Sequence, residues 1–445
     1  MIGLGVSVTR TAQAATLLDV FERARQSDPQ LLQADAIRQA NKEIGPQVLG
    51  TLMPQINAFG NASRRRTVGP LSSTNPSASD PKPTADYTVK SYTLQLTQSV
   101  FHWDQWAALK RADAQVAQAE AAYLAAEQDL IVRVAQRYFA VLAAQDSVNT
   151  TQAAVEAFSR QLDHAEKRFG VGLMAITDVQ EARAQRDRSV ADAIDAKRTL
   201  ATNIGLLREI TGTDFDSLAA PGEDMPLKTP EPASEDKWVN AATEQNLNLI
   251  SARLNFDIAR QNVRIAEAGH APSLDLVLSY GDTNTRTSIT STDGIEDPTT
   301  TAKQNNRSIG VQLTVPIFSG GVTQSRVRQQ VSLRRAALEN LELVTRQTER
   351  SVRDNYLGVL SGISRVKALR QAFESSRIAL QATEAGFEVG TRTTVDVLLS
   401  RQQFFAAQTA YSQSRYTYLQ SLIQLEQAAG QLNRDNVEEI NDWLK

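Results

Sequence analysis

Apolar and polar residues alternate one by one over four stretches of this chain, and apolar residues recur every seven positions over two longer ones. Tyr92, Leu94, Leu96 and Val100 alternate with Thr93, Gln95, Thr97 and Ser99, and Ile309, Val311, Leu313, Val315 and Ile317 alternate with Ser308, Gly310, Gln312 and Thr314. Ile56-Asn57-Ala58 and Leu274, Leu276, Leu278 and Tyr280 supply the two partner runs. A period of two predicts strands with one apolar and one polar face. The runs are about ten residues or longer, the length that crosses a bilayer when tilted. Their polar face carries amides, hydroxyls and glycine, which suits a water-filled lumen as well as an exposed sheet face. Polar, aperiodic segments at 67–86 and 287–304 read as surface loops.

Val134, Val141, Val148, Val155, Leu162 and Phe169 stand seven apart, as do Val352, Val359, Val366, Phe373, Leu380 and Phe387. A strict seven-residue repeat predicts left-handed coiled-coil packing. Between residues 102 and 169 there is neither Gly nor Pro, so one helix of about 100 Å is expected at 1.5 Å per residue. Return helices are expected at about 176–211 and 393–429, making two long antiparallel hairpins. Shorter helical segments at 17–51 and 235–268 precede the strands, the first interrupted at Pro29, Gly45 and Pro46.

All of this happens twice. Phe169-Gly170-Val171-Gly172 with Asp178-Val179 returns as Phe387-Glu388-Val389-Gly390 with Asp396-Val397, an offset of 387 − 169 = 218 residues. The same offset maps Pro54 onto Pro272 and Gly212 onto Gly430. A duplication through the whole length predicts one composite domain of two similar halves. Their expected bounds are 15–218 (strands about 54–66 and 87–101, hairpin 102–211) and 235–432 (strands about 272–286 and 305–318, hairpin 321–429). A linker at 219–234 joins them and a tail at 433–445 follows. The copies differ at the turns: Met174 and Ala175 stand opposite Arg392 and Thr393, and Glu384 and Arg392 are read as features of the second half only.

Composition narrows the function. With 47 Lys plus Arg against 50 Asp plus Glu, the net charge is −3, which argues against a nucleic-acid footprint. There is no Cys, and the three His (His102, His164 and His270) are isolated in sequence. No phosphate loop, nucleophile elbow or Cys/His cluster is present, so neither a cofactor, nor a metal, nor an enzyme activity is expected. No apolar run reaches about 18 residues, which excludes a transmembrane helix but not a membrane β-barrel. Residues 1–8 are apolar, and Ala12-Gln13-Ala14 has the small-x-small pattern of a signal cleavage site without the basic n-region. Residues 1–14 thus read as the tail of a signal peptide whose start lies upstream; a disordered tail of a cytosolic protein is the alternative. Arg64-Arg65-Arg66 reads as a solvated charge run, with lipopolysaccharide phosphates as the functional alternative, and Asp293-Gly294 as a turn.

Four strands cannot close a membrane barrel, which needs about eight, and open sheet edges are not tolerated in lipid. A membrane-embedded sheet of this kind therefore requires oligomerisation, and three copies would supply twelve strands. The segments Arg168-Phe169-Gly170-Val171-Gly172-Leu173 through Asp178-Val179-Gln180, Val389-Gly390-Thr391-Arg392-Thr393-Thr394-Val395-Asp396-Val397-Leu398, Leu94-Gln95-Leu96-Thr97-Gln98-Ser99-Val100-Phe101 and Ala182-Arg183-Ala184-Gln185 carry a resemblance over about residues 17–432. The chain resembles the TolC family of bacterial outer-membrane efflux and type I secretion channels. The resemblance implies a mixed α and β membrane fold: a homotrimeric 12-stranded outer-membrane barrel continuing into a long periplasmic α-helical coiled-coil barrel. It implies a passive export duct embedded in outer-membrane lipid, with a periplasmic adaptor and an inner-membrane pump of ABC or RND type as partners. The competing reading is a soluble periplasmic coiled-coil scaffold or adaptor protein.

The resemblance also implies site residues. Val171, Gly172, Leu173, Val389, Gly390 and Thr391 would be adaptor-docking tips. Gln161, Asp178, Glu384, Phe387 and Arg392 would form the periplasmic gate, with Arg392 and Asp178 able to pair. Phe387 stands where the family pattern has a Tyr, which removes a hydroxyl from that network. Asp396 would form a pore-lining acidic ring whose three carboxylates raise one another's pKa. Leu399 stands where the pattern has a second acidic ring.

Overall fold

The computed structural model describes residues 14–69, 84–222, 225–290 and 295–444. Residues 1–13 of the expected signal segment, most of the 67–86 loop and the Asp293-Gly294 turn lie outside these. Two compact units divide the chain. One comprises Met1–Gln39, Gln118–Arg253 and Asn340–Lys445; the other comprises Ala40–Ala117 and Leu254–Glu339.

The second unit holds the strands: β1 (Gln55–Val68), β2 (Thr84–Phe101), β3 (Ser273–Thr290) and β4 (Thr300–Thr314). They form one antiparallel sheet in the order β1-β2-β3-β4. Cross-strand partners share a face, so the register shows what the alternation builds. Ile56 pairs with Leu96, Leu96 with Leu278, and Leu278 with Ile309, one apolar row across all four strands. One residue along, Asn57, Gln95, Ser279 and Ser308 form the corresponding polar row on the other face, and Ser279 Oγ lies 2.7 Å from Ser308 Oγ. Gly281 permits close strand approach, since a Cβ there would stand 2.9 Å from the Tyr92 carbonyl oxygen. The apolar row is solvent-exposed in this chain: Ile309, Val311 and Leu313 are 75%, 66% and 63% exposed.

The strands overshoot the expected loop limits because backbone pairing continues through polar residues, for example Thr287 with Thr300 and Arg66 with Asp86. At its other end β4 stops at Thr314, although the alternation runs on to Ile317. Pro316 has no N–H to extend the ladder.

The first unit contains α1 (Leu17–Ser27), most of α2 (Pro29–Lys42), α5 (Ile176–Thr211), α6 (Glu235–Gln245), α9 (Thr394–Ala429) and α10 (Arg434–Asn441). The unit boundaries also fall within α7 (Leu247–Glu267) and the two long helices α4 (Trp103–Gly170) and α8 (Val322–Glu388); α3 (Ile44–Leu52) belongs to the strand-bearing unit. The break before α3 falls at Glu43, and Pro46 is accommodated in the first turn of α3.

On α8 the buried residues are Thr348, Val352, Tyr356, Val359, Ile363 and Val366. Their spacings of four and three are those of a coiled-coil seam. Farther along, Phe373 and Leu380 are half-buried, and Phe373 stacks on Phe404 at 5.6 Å and on Tyr411 at 6.0 Å, which joins α8 to α9. On α4 the seam includes Val134, Val141 and Leu162, but Phe169 is exposed. The seam ends before the turn.

The duplicated Gly212 and Gly430 both end a helix with positive φ, +69° and +77°. Left-handed backbone at a helix end is easiest for glycine. The duplicated helix starts diverge. Asp28 accepts from the Leu31 N–H at 2.9 Å and takes a two-pronged contact from Arg133, at 3.1 and 2.8 Å. Asn246, 246 − 28 = 218 residues on, accepts from Leu249 N–H at 3.1 Å, and its amide donates to the Ala428 carbonyl at 3.0 Å. Burial pushes the Asp28 carboxyl up, but Arg133 and the Leu31 N–H outweigh it and hold its pKa below the ordinary 3.8. The pair's contribution is therefore complete above pH 3.8 and lost as pH falls through the lower folded value. Asp28→Ala removes a buried carboxylate together with its bonds to Arg133 and the Leu31 N–H, leaving the half-buried guanidinium only Asp129, and is expected to destabilise the fold by about 2 kcal/mol. Asp28→Asn should remove part of the acid-side slope; thermal unfolding followed from pH 7 downward reads both.

Candidate functional site at the hairpin turns

Both long hairpins turn by the same backbone device. At the end of α4 the Gly172 N–H donates to the Phe169 carbonyl and the Leu173 N–H to that of Arg168, each at 2.9 Å. At the end of α8 the Gly390 N–H donates to Phe387 at 3.1 Å and the Thr391 N–H to Gly386 at 2.8 Å. These paired bonds close a helix end on a left-handed residue. Gly172 and Gly390 supply it, with φ +76° and +81°. The residues beside the glycines have nothing to pack against: Val171, Leu173 and Val389 are 69%, 74% and 76% exposed.

The helices leaving the turns start differently. Thr393 caps α9: its hydroxyl accepts from the Asp396 N–H at 3.2 Å, while its own N–H and hydroxyl both donate to the Asp396 carboxylate at 2.9 Å. Those bonds hold the Asp396 pKa below its ordinary value, with Arg392 adding to the effect. Within one chain the carboxylate is thus pulled downward, opposite to the mutual elevation expected of an assembled ring. In the first half Ala175 occupies the capping position and makes no side-chain cap. Asp178, the counterpart of Asp396, is left without a hydrogen bond or ion pair among the described residues.

Three of the five expected gate residues meet in one cleft of about 380 Å³: Gln161, Glu384 and Phe387, together with Arg168 and Arg401. Arg401 contacts Glu384 at 2.8 and 2.7 Å and donates to the Ala157 carbonyl at 3.0 Å. Arg168 lies 5.5 Å above the Phe387 ring, so the ring without a hydroxyl is engaged through its face. Asp178 and Arg392 do not pair with each other within the chain.

Arg401 was not among the expected residues, and the reading of Glu384 as particular to the second half is corrected by it. Glu166 stands at 384 − 218 and Arg183 at 401 − 218. Glu166 and Arg183 form the same ion pair, at 2.7 Å. Each hairpin is therefore fastened by a duplicated Glu-to-Arg bridge 17 residues apart in sequence. Applying the repeat offset to charged residues as well as to the turn motif finds it.

In fold this is an outer-membrane channel protein of mixed α and β structure. The chain belongs to the outer membrane efflux protein family, whose model matches residues 20–213 and 238–431. The two matches start 238 − 20 = 218 residues apart, once for each half. The chain is 36% identical over 434 residues to Outer membrane protein TolC of Vibrio cholerae, covering 97% of this chain and 94% of that one. It is 28% identical to Alkaline protease secretion protein AprF of Pseudomonas aeruginosa, covering 96% and 87%. The crystal structure of the outer membrane protein VceC of Vibrio cholerae superposes with a TM-score of 0.74 at 20% identity, covering 93% of this chain and 96% of that one.

Gly390→Ala forces a Cβ into left-handed backbone and is expected to destabilise the second hairpin turn by about 1 kcal/mol. Thr393→Ala should cost about 1 kcal/mol of helix capping and let the Asp396 pKa rise toward its ordinary value. Amide exchange at 385–400 reads the first effect, and carboxyl-detected NMR titration the second.

Proposed function

We propose that three copies of this chain close one outer-membrane duct, the exit conduit of efflux and type I secretion systems. The chain is located in the outer membrane and works with partner pump and secretion components. Chemical energy comes from those partners, and no catalytic step is assigned to the duct. The observation that carries the trimeric reading is the sheet: β1 and β4 each present an unpaired edge beside an exposed apolar face. In lipid an unpaired edge costs several kcal/mol per backbone group. Three sheets give 3 × 4 = 12 strands with every edge paired.

The helices support the same reading. Within the chain α9 covers a stripe of α4: Tyr416 stacks on Phe139, Tyr416 and Ser412 hydrogen-bond to Asp146, and Arg401 reaches the Ala157 carbonyl. The equivalent stripe on α8, at positions 357, 364 and 375, is exposed, and so are Arg183, Ile194 and Arg198, the α5 counterparts of the covering residues. One more step of the repeat lays α5 of a second copy on α8.

In this duct the turns form the periplasmic entrance, six per trimer. Val171, Gly172 and Leu173 with Val389, Gly390 and Thr391 present apolar and backbone groups to a periplasmic adaptor, which links the duct to an inner-membrane pump of ABC or RND type. Gln161, Glu384 and Phe387 brace the gate within a protomer. Asp178 and Arg392, unpaired in the chain, pair between protomers to close it. Asp396 lines the pore and favours cations.

The membrane-extracted protein should migrate as a heat-modifiable trimer; a monomer confined to the soluble fraction would reject the duct. Because the chain lacks cysteine, Ile194→Cys with Ser364→Cys is expected to give intermolecular products with a short bis-maleimide, and intramolecular product alone contradicts the helix arrangement. Asp178→Ala and Arg392→Ala should each raise single-channel conductance in a planar bilayer, and no change in either removes the gate assignment.

A further inference from the structure

The sheet register sorts its charges in a way that the conduit role does not require. On the face that carries the Ile56–Leu96–Leu278–Ile309 row, successive rows toward the β1–β2 and β3–β4 turns change character. Ala58, Leu94, Tyr280 and Arg307 come next, then Gly60, Tyr92, Asp282 and Asn305. Beyond them lie Ala62, Lys90, Asn284 and Lys303, and then Arg64, Thr88, Arg286 and Thr301. Arg66 and Asp86 follow. This face thus holds six cations (Arg64, Arg66, Lys90, Arg286, Lys303 and Arg307) against two acids, whereas the opposite face holds Arg65 and Asp275 alone.

The acids on that face are occupied. Arg66 makes a two-pronged contact to Asp86 at 2.8 and 2.7 Å, with Arg64 in a longer ion pair to the same carboxylate at 3.8 Å, and the Asn305 amide donates to Asp282 at 3.1 Å. Arg307 shares the Tyr280 row and lies over its ring at 5.3 Å, so cations begin one row beyond Ile309. Lys90, Arg286 and Lys303 are exposed and make no ion pair among the described residues. From the Leu278 row to the Lys90 row is six residues along a strand, about 20 Å at 3.4 Å per residue. An apolar band, then Tyr280 and Tyr92 in successive rows, then the Lys90–Lys303 row follow the order of a bilayer's hydrocarbon, interface and headgroup levels.

We propose that Lys90, Lys303 and Arg286 bind the phosphate groups of a phosphorylated glycolipid in the leaflet that faces the β-turns. Guanidinium and ammonium groups recognise phosphate through charge-assisted hydrogen bonds, and each cation near an anionic surface adds about a fivefold gain in binding. A water-filled lumen would not demand this one-sided distribution, since among the described residues of the sheet Arg65 is the one cation on the opposite face. The assignment rests on the barrel reading, because it places this face against lipid.

The test uses the full-length detergent-extracted trimer with bisphosphorylated lipid A as probe, and native mass spectrometry counts retained lipid. Lys90→Gln with Lys303→Gln is expected to lower retention at least about tenfold, Arg286→Gln about fivefold, and Arg65→Gln to leave it unchanged. Retention should fall with salt and with removal of the lipid's phosphates. Equal loss in Arg65→Gln, no loss in the double variant, or equal retention of phosphatidylglycerol overturns the assignment. Failure of every variant and the parent to migrate as a heat-modifiable trimer overturns the barrel reading instead; a normal trimer with no lipid A preference overturns this one alone.

Discussion

Backbone hydrogen bonding at the sheet edges governs the rest of this protein. A four-stranded antiparallel sheet satisfies its interior N–H and C=O groups and leaves two edges open. In water such an edge invites aggregation; in hydrocarbon it is prohibitive. Several exposed features of the single chain fit that constraint: the apolar row across four strands, the bare stripe on α8, and Asp178 and Arg392, which make no ion pair with each other among the described residues. Each is a surface that one copy displays and does not use.

Duplication provided the means, and divergence provided the function. The two halves keep the backbone devices: glycine at the left-handed helix ends, the paired turn bonds at Gly172 and Gly390, and the Glu-to-Arg bridge below each turn. They differ where side chains choose partners. Asp28 binds a guanidinium while Asn246 binds a carbonyl. Thr393 caps its helix through Asp396, whereas Ala175 leaves Asp178 free. The two turns of one chain therefore share a backbone and differ in the side chains they offer.

The legible part of the sequence was whatever depends on periodicity or on backbone conformation. Alternation marks strands because side chains on a strand point to opposite faces, and it located all four. Heptads marked the α8 seam because the helix brings every third and fourth residue to one side. Glycine at a turn is legible because few other residues tolerate positive φ. Where Pro316 removes a donor, the alternation misled about the end of β4, although the cause is itself a sequence feature.

The illegible part was pairing. Nothing in periodicity says that Arg401 reaches back 17 residues to Glu384 and also across to the Ala157 carbonyl, or that Arg168 lies on the Phe387 ring. The charge partition of the sheet was equally hidden, since Arg64-Arg65-Arg66 is one run in sequence but two faces in space. The amino-acid sequence by itself determined the elements, their duplication and their membrane character, because these follow from local sterics and from the solvent each face must meet. Only the tertiary structure decided which charges meet and how the strands line up their cations, because those outcomes depend on sheet register and on contacts between separate helices, such as that of Arg401 with the Ala157 carbonyl 244 positions away.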